Sequence, residues 1–334
     1  MSKICIDDIA RICNVSKATV SRVLNHPEMV AVDLREHIFR VIDETGYSPN
    51  QFAQRLGRSE EHWGTALFVY DIVNPFFSLI TRGLTTLSLQ NNIPMFVFET
   101  LNSLERERLY LDLLIKNKVS GVVFTAGVSE ESIRRANDYF PVVVIDQHFE
   151  HLQIPEVLSD NLKGAKQAVD YLIKLNHRRI AFINGPEGWI SSQTRFEGYL
   201  AALREADIPF DPRLVFRGNL QLYSGLDAGK YFMSLDEWPT AIFAANDQMA
   251  LGAMNNAQMM NLHIPGDLSI IGFDGTSVVT QARPQLTTVQ QDIGQICNTA
   301  MSLLSDLIQG KDVEKDHLID TTLVIGDTCR RLSD

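Results

Sequence analysis

The stretch Val15-Ser16-Lys17-Ala18-Thr19-Val20-Ser21-Arg22-Val23-Leu24-Asn25 constrains this chain more than any other, because it reads as a short helix with a single apolar side. Val15, Val20, Val23 and Leu24 recur around Ala18 at helical spacing and pack together, which leaves Lys17, Ser21, Arg22 and Asn25 facing outwards. Ile6 to Cys13 is a second amphipathic segment, and Asn14 between the two tolerates a left-handed turn. Ser16 is placed to cap the second helix, its hydroxyl accepting an N–H of the first turn. Two short helices joined by a tight turn make a helix-turn-helix.

Composition bounds the rest. A chain of 334 residues suits two or three domains, and 45% hydrophobic residues are enough for sizeable cores. The formal charge of -11 is unevenly spread. Lys3, Arg11, Lys17, Arg22, Arg35, Arg40, Arg55 and Arg58 balance the acidic residues of the first 60 positions, so the whole acidic excess lies beyond them. Such a body repels polyanions, and any nucleic-acid contact must come from a locally basic face used in pairs. Cys5, Cys13, Cys297 and Cys329 are too scattered for a zinc site or a disulfide frame and read as reduced thiols. No run of 18 apolar residues suggests a membrane span and no signal-peptide layout opens the chain, so a cytoplasmic protein is expected.

Beyond the first two helices, Asp33 to Thr45 reads as a third, closed by Gly46. Gln51 to Ser59 is a further helical segment, too short to be stable alone. From Gly64 the pattern changes to short, continuously apolar runs alternating with amphipathic helices. Strands are expected at 64–71, 94–99, 119–125, 141–146, 179–184, 241–245 and 268–273, with helices at 76–90, 104–116, 130–139, 161–175, 195–206 and 247–260. Strands buried on both faces and separated by helices point to parallel sheets. Ligands in such folds bind beyond the carboxyl ends of strands, where Asp71, Asp146, Asn246, Asp247 and Asp274 fall, with Arg195 near the start of a helix. Each acid or amide is also an ordinary helix cap, and Arg195 an ordinary ion-pair partner; together they offer the mixed donors and acceptors that sugar hydroxyls need.

The N-terminal residues closely resemble the headpiece of the LacI/GalR family of bacterial transcription regulators. The family signature D-V-A-x-x-A-G-V-S-x-x-T-V-S-R-V-x-N stands here as Asp8-Ile9-Ala10, Val15-Ser16 and Thr19-Val20-Ser21-Arg22-Val23-Leu24-Asn25. Cys13-Asn14 replaces Ala-Gly, and Cys5 stands where a capping Thr is common, which implies a weaker cap on the first helix. The segment through Pro49-Asn50 and Ala53 to Leu56 resembles the family's hinge helix, whose leucine wedges into the minor groove; Leu56 is the matching residue. From Gly64 onward the chain is similar to the periplasmic sugar-binding fold, through Ala245-Asn246-Asp247-Gln248-Met249-Ala250, Ile270-Ile271-Gly272-Phe273-Asp274 and Leu286-Thr287-Thr288-Val289.

The resemblance implies an α/β fold: a helix-turn-helix headpiece (1–48), a hinge (49–60) and a periplasmic-binding-protein-like core (61–334) of two doubly wound parallel-sheet lobes. The lobes would span about 62–160 with 292–321, and 161–291 with 322–334. It implies a repressor that binds double-stranded operator DNA as a homodimer, without catalytic residues, metal or cofactor. Lys17, Ala18 and Arg22 would reach base edges, Ser16, Thr19, Ser21 and Asn25 phosphates, and Ala53 and Leu56 the hinge contact. Asp71, Phe76, Phe77, Asp146, Arg195, Asn246 and Asp274 would hold a small effector, a carbohydrate or alternatively a nucleobase. Leu220 stands where members carry an aromatic, so Trp189 or Tyr223 is expected to replace that platform. A transport-system solute-binding protein would explain the core but not the headpiece. An enzyme on a Rossmann-like sheet needs a glycine-rich loop that Asp71-Ile72-Val73-Asn74-Pro75-Phe76 does not supply.

Overall fold

The computed structural model describes residues 4–47 and 64–333. The chain divides into two compact units, Met1–Glu61 and His62–Asp334. The short helical segment expected at 51–59, with Ala53 and Leu56, lies outside the described residues, as does the side chain of Asn25.

In the first unit, α1 (Ile6–Ile12), α2 (Lys17–Asn25) and α3 (Val32–Thr45) enclose a small core in which Ile9, Val20, Val23 and Ile38 are fully buried. Asn14 adopts φ 51°, so the turn between α1 and α2 is left-handed as its residue type suggests. Ser16 Oγ accepts the Thr19 N–H at 3.1 Å and caps α2, and Gly46 ends α3 at φ 63°. At the start of α1 the cap works through the acid three residues on. The Asp8 carboxylate accepts the Cys5 backbone N–H at 2.9 Å and its thiol at 3.0 Å, bonds that hold the Asp8 carboxyl below the usual range.

The second unit contains two six-stranded sheets. β1 (Thr65–Val69), β2 (Met95–Glu99), β3 (Gly121–Phe124), β4 (Val142–Ile145), β5 (Glu156–Ser159) and β11 (Asp316–Ile319) form the first, in the order β11-β5-β4-β3-β1-β2, all parallel. The second, β12-β10-β9-β8-β6-β7, uses β6 (Ile180–Asn184), β7 (Val215–Arg217), β8 (Ala241–Ala244), β9 (Ser269–Asp274), β10 (Thr287–Gln291) and β12 (Thr321–Val324); only β12, against β10, runs antiparallel. Each sheet is one lobe. The chain passes between lobes at Asp160, Asp292 and Asp320, each a single residue beyond a strand of the first or second sheet.

The Gly-Val-Val-Phe of β3 and Val-Val-Val-Ile of β4 are buried at every position because both faces of the sheet are covered. The two-residue period sends Leu67, Val69 and Val123 into one apolar cluster and Ala66, Phe68 and Val122 into another on the opposite face. Covering helices of the first lobe include α4 (Pro75–Gln90), α5 (Leu104–Asn117), α6 (Glu130–Asn137) and, after the second crossover, α12 (Ile293–Ile308). The second lobe carries α7 (Asn161–Lys174), α8 (Ile190–Glu205), α9 (Leu222–Met233), α10 (Asp247–Met259) and the short α11 (Ser277–Gln281). Polar caps mark several starts: Asn74 Oδ1 accepts the Phe76 N–H at 3.0 Å, and Asp160 Oδ1 that of Lys163 at 3.0 Å. Among the described residues, no helix is long and apolar enough to cross a membrane.

Helices α9 and α10 approach so closely that glycine is required on both. A β-carbon on Gly225 would lie 2.0 Å from the Met249 carbonyl oxygen, and one on Gly252 2.0 Å from that of Leu222. Both obstacles are backbone and cannot rotate aside. Gly225→Ala is therefore expected to destabilise the second unit by about 1–3 kcal/mol, the range for overpacking a filled core. Urea denaturation of the variant checks this; an unchanged midpoint would show that the helices separate freely.

Candidate functional site

Two sets of residues stand apart from the cores. The first lies on α2. With Val20 and Val23 turned inwards, Ser16, Lys17, Ala18 and Arg22 are exposed on the opposite side, and Thr19 and Ser21 are half-buried at its margins. Lys17 Nζ rests 3.0 Å from Asp7, but both side chains are more than half exposed, so this pair is screened and easily exchanged for another anion. The hydroxyls of Ser16 and Thr19 lie 2.8 Å apart at the helix N-terminus, where backbone N–H groups converge. A cation at either end of the exposed face, a methyl between them and hydroxyls at the N-terminus are chemically suited to a base edge flanked by phosphates.

The second set lies between the two sheets. Arg195 is 4% exposed; its Nε donates to Asn161 Oδ1 at 2.8 Å and Nη1 to the Ala245 carbonyl at 2.5 Å. Nη1 also stands 3.7 Å from Asp274 Oδ1, and the guanidinium carbon sits 3.9 Å over the Phe273 ring. The expected placement near a helix start needs correction. Helix α8 begins at Ile190, a turn and a half earlier, so Arg195 projects from its body.

Asp146, one residue beyond β4, and Asp274, the last residue of β9, lie at strand ends of opposite lobes with positive φ, 58° and 107°. Burial raises both acids, Asp274 strongly, and the Arg195 charge only partly offsets this. Asp146 Oδ1 and Gln147 Oε1 are buried acceptors to which no described residue donates, while Gln147 Nε2 donates to the Val128 carbonyl at 2.9 Å. Both side chains line a cavity of about 350 Å³ with Ala126 and Gly127 of the first lobe and Trp189 and Ile190 of the second. The Trp189 ring crosses between lobes, its centroid 5.0 Å from Tyr70 and 6.4 Å from Phe77.

Other expected residues have different positions. Asn246 has both amide atoms engaged: Nδ2 donates to the Leu220 carbonyl at 2.9 Å and Oδ1 caps α10 through the Met249 N–H at 2.9 Å. Its Oδ1 thus caps a helix, while the amide keeps a second N–H and the oxygen a second lone pair. Phe76 and Phe77 are 4% and 1% exposed within the first lobe's core, and neither lines the cavity. Asp71 accepts the Val73 N–H at 2.8 Å in a local turn. Of the two expected substitute aromatics, Trp189 lines the cavity and Tyr223 is 76% exposed away from it. Neither Gln147, which directly follows Asp146, nor Asn161 is singled out by the sequence pattern.

Asp247, fully buried behind the cleft, accepts from Thr288 Oγ1 at 2.6 Å and from the Thr276 N–H and Oγ1 at 2.8 and 3.1 Å. Burial nevertheless pushes its carboxyl up to about 7 from 3.8. A raised acid favours the folded state in its protonated form, so that stability is lost as pH rises through the folded value. The buried His177 is shifted down from 6.5 and acts only below that pH. Between pH 6.5 and 8 the stability of the second unit should therefore fall, with a slope of at most about 1.4 kcal/mol per pH unit for each such acid. Urea titrations at the two pH values measure it, and greater stability at pH 8 would contradict it.

Comparison with known proteins places these features in context. Residues 5–50 match the family of bacterial regulatory proteins described as the lacI family, and residues 169–329 a periplasmic binding protein-like domain. The chain is 34% identical to the HTH-type transcriptional repressor CytR of Escherichia coli (strain K12), over 97% of its own length and 96% of that repressor's. Among solved structures, it resembles the lac repressor dimer bound to operator and an anti-inducer, with 26% identity, a TM-score of 0.83 and coverage of 98% of this chain and 100% of that one. It also resembles the complex of the transcriptional regulator CelR with cellobiose, with 26% identity, a TM-score of 0.75 and coverage of 97% and 99%.

Proposed function

Because the chain belongs to the LacI family of bacterial transcription regulators, we propose that its two sets of exposed and cleft residues read an operator and a sugar respectively. It is a DNA-binding regulator with an effector-binding core. In this reading a homodimer presents two copies of α2 to successive major grooves of a near-palindromic duplex. Arg22 pairs with a guanine edge, Lys17 with guanine or phosphate, and Ala18 contacts a thymine methyl. Ser16, Thr19, Ser21 and Asn25 hold phosphates, and the hinge residues Ala53 and Leu56 enter the minor groove between them. The observation that carries the DNA reading is the exposure of Ser16, Lys17, Ala18 and Arg22 on a helix whose other side is core.

The effector reading rests on the cleft. Asp146 and Gln147 line its cavity together with Trp189, while Arg195 and Asp274, 3.7 Å apart, are buried near Asp146 without lining it. Two buried acceptors call for two donors, and hydroxyls on a ring with an apolar face satisfy both the acceptors and the indole. The solved structure of CelR, a similar protein, holds the sugar cellobiose, which supports a carbohydrate in this core. Among the described residues the cation beside these acids, Arg195, is already committed to Asn161, Ala245 and Asp274, which favours a neutral sugar over an anionic one. Effector binding then changes DNA affinity by its differential affinity for the two arrangements of the lobes.

Selection of the full-length protein on random duplexes should return a near-palindrome. Arg22→Ala is expected to weaken binding to that duplex by about 1–3 kcal/mol, with relaxed preference at one base pair in each half; an equal loss on unrelated DNA would reduce Arg22 to a phosphate contact. For the cleft, thermal shifts are to be measured with a panel of neutral mono- and disaccharides on the wild type and on Asp146→Asn, which preserves shape but removes the charge. At least one sugar should raise the wild-type melting temperature, and the variant should lose that increment. A shift retained by the variant, or no shift from any neutral sugar, overturns the cleft assignment.

A further inference from the structure

The cleft is joined to the crossovers between lobes by a line of buried side chains. Ser159 is the last residue of β5 in the first lobe, and Gln291 the last of β10 in the second. Each is followed by the one residue, Asp160 or Asp292, through which the chain enters the other lobe. Their side chains meet: the Ser159 hydroxyl donates to Gln291 Oε1 at 2.5 Å. Gln291 Nε2 in turn donates to Asp274 Oδ1 at 2.8 Å, the same oxygen that faces Arg195. Beyond Arg195 and Asn161 the line reaches Asp146, back in the first lobe. The circuit therefore leaves the first lobe at the crossover strand and re-enters it at the cavity wall.

Gln291 joins the Asp274 carboxylate to the crossover strand β5 through Ser159. It is 2% exposed and Ser159 5%, so their polar groups are costly to bury unless both amide atoms are bonded. A β-branched apolar residue would suit a buried strand position better. A primary amide carries a donor and an acceptor in one plane, which lets it hold a carboxylate and a hydroxyl at once.

We propose that Gln291 is the positioning residue that couples what the cleft holds to the arrangement of the lobes. A group that donates to Asp274, or draws on Arg195, competes with the Gln291 amide for the same carboxylate. The amide then shifts its hold on Ser159, and two of the three crossovers respond together. The link to a ligand rests on the effector reading of the cleft, whereas the tie between lobes does not.

The test uses full-length protein carrying Trp63→Phe and Trp238→Phe, so that Trp189 is its sole tryptophan. Since Trp189 lies against Tyr70 of the opposite lobe, its accessibility to acrylamide reports lobe separation. Gln291→Leu and the milder Ser159→Ala are each expected to increase the separated fraction roughly fivefold, the population change that loss of one net hydrogen bond produces. The double variant should do no more than either single one, because both break the same tie. The radius of gyration from small-angle X-ray scattering should rise in parallel. If either single variant lowers only the unfolding midpoint, with Trp189 quenching and radius unchanged, the coupling role is overturned, and additive effects overturn it equally. If Gln291→Leu does not fold, Ser159→Ala alone decides. The measurement needs no ligand, so its failure leaves the sugar reading standing, and a failed sugar screen leaves this one standing.

Discussion

The core depends on one buried guanidinium. Arg195 is the cation set among the carboxyls of Asp146 and Asp274, with Asp247 behind Asp274, and all three acids are raised by burial. One positive charge cannot satisfy three acids, and so each is completed differently. Asp247 takes hydroxyl and backbone donors from Thr288 and Thr276, Asp274 takes the Gln291 amide, and Asp146 keeps one buried oxygen to which no described residue donates. The inequality between them is informative. Satisfied acids fix loops and strands, whereas an unsatisfied one beside a cavity is a place for a ligand.

The residues that this charge cluster organises come from both lobes, which explains why the pattern of single elements was easier to read than the site. Strands such as Val142–Ile145 and caps such as Ser16, Asn74 and Gly46 are local matters, decided by β-branched runs, side-chain oxygens and a left-handed turn. Helix α9 was not legible, because Gly225 and Gly229 look like helix breakers until Gly252 and Asn256 of α10 are seen pressed against them. The start of α8 at Ile190 was also hidden, since Ile190, Ser191 and Thr194 are indifferent helix formers held in place by packing.

Similar logic separates the legible from the illegible in the site. Asp146 and Asp274 could be singled out because strand ends are where α/β folds place ligands. Phe76 and Phe77, in the first turn of the helix that follows β1, turn to core packing, and no local signal marks that fate. Gln291 and Ser159 are 132 residues apart, and nothing in either segment announces the other. Their significance arises only when the two sheets bring the last residues of β5 and β10 together.

The balance of charge in the first 60 residues sets how such a regulator is controlled. The basic and acidic residues of the first 60 positions balance, so this segment has no net positive charge, while the remainder of the chain is acidic. Coulomb attraction alone is then a weak source of affinity, and one headpiece holds a duplex poorly. Binding that relies on two headpieces docking together is sensitive to geometry rather than to charge. A ligand in the cleft need add no charge near the DNA; a change in how the lobes meet is enough to alter affinity, by the ligand's differential affinity for the two arrangements.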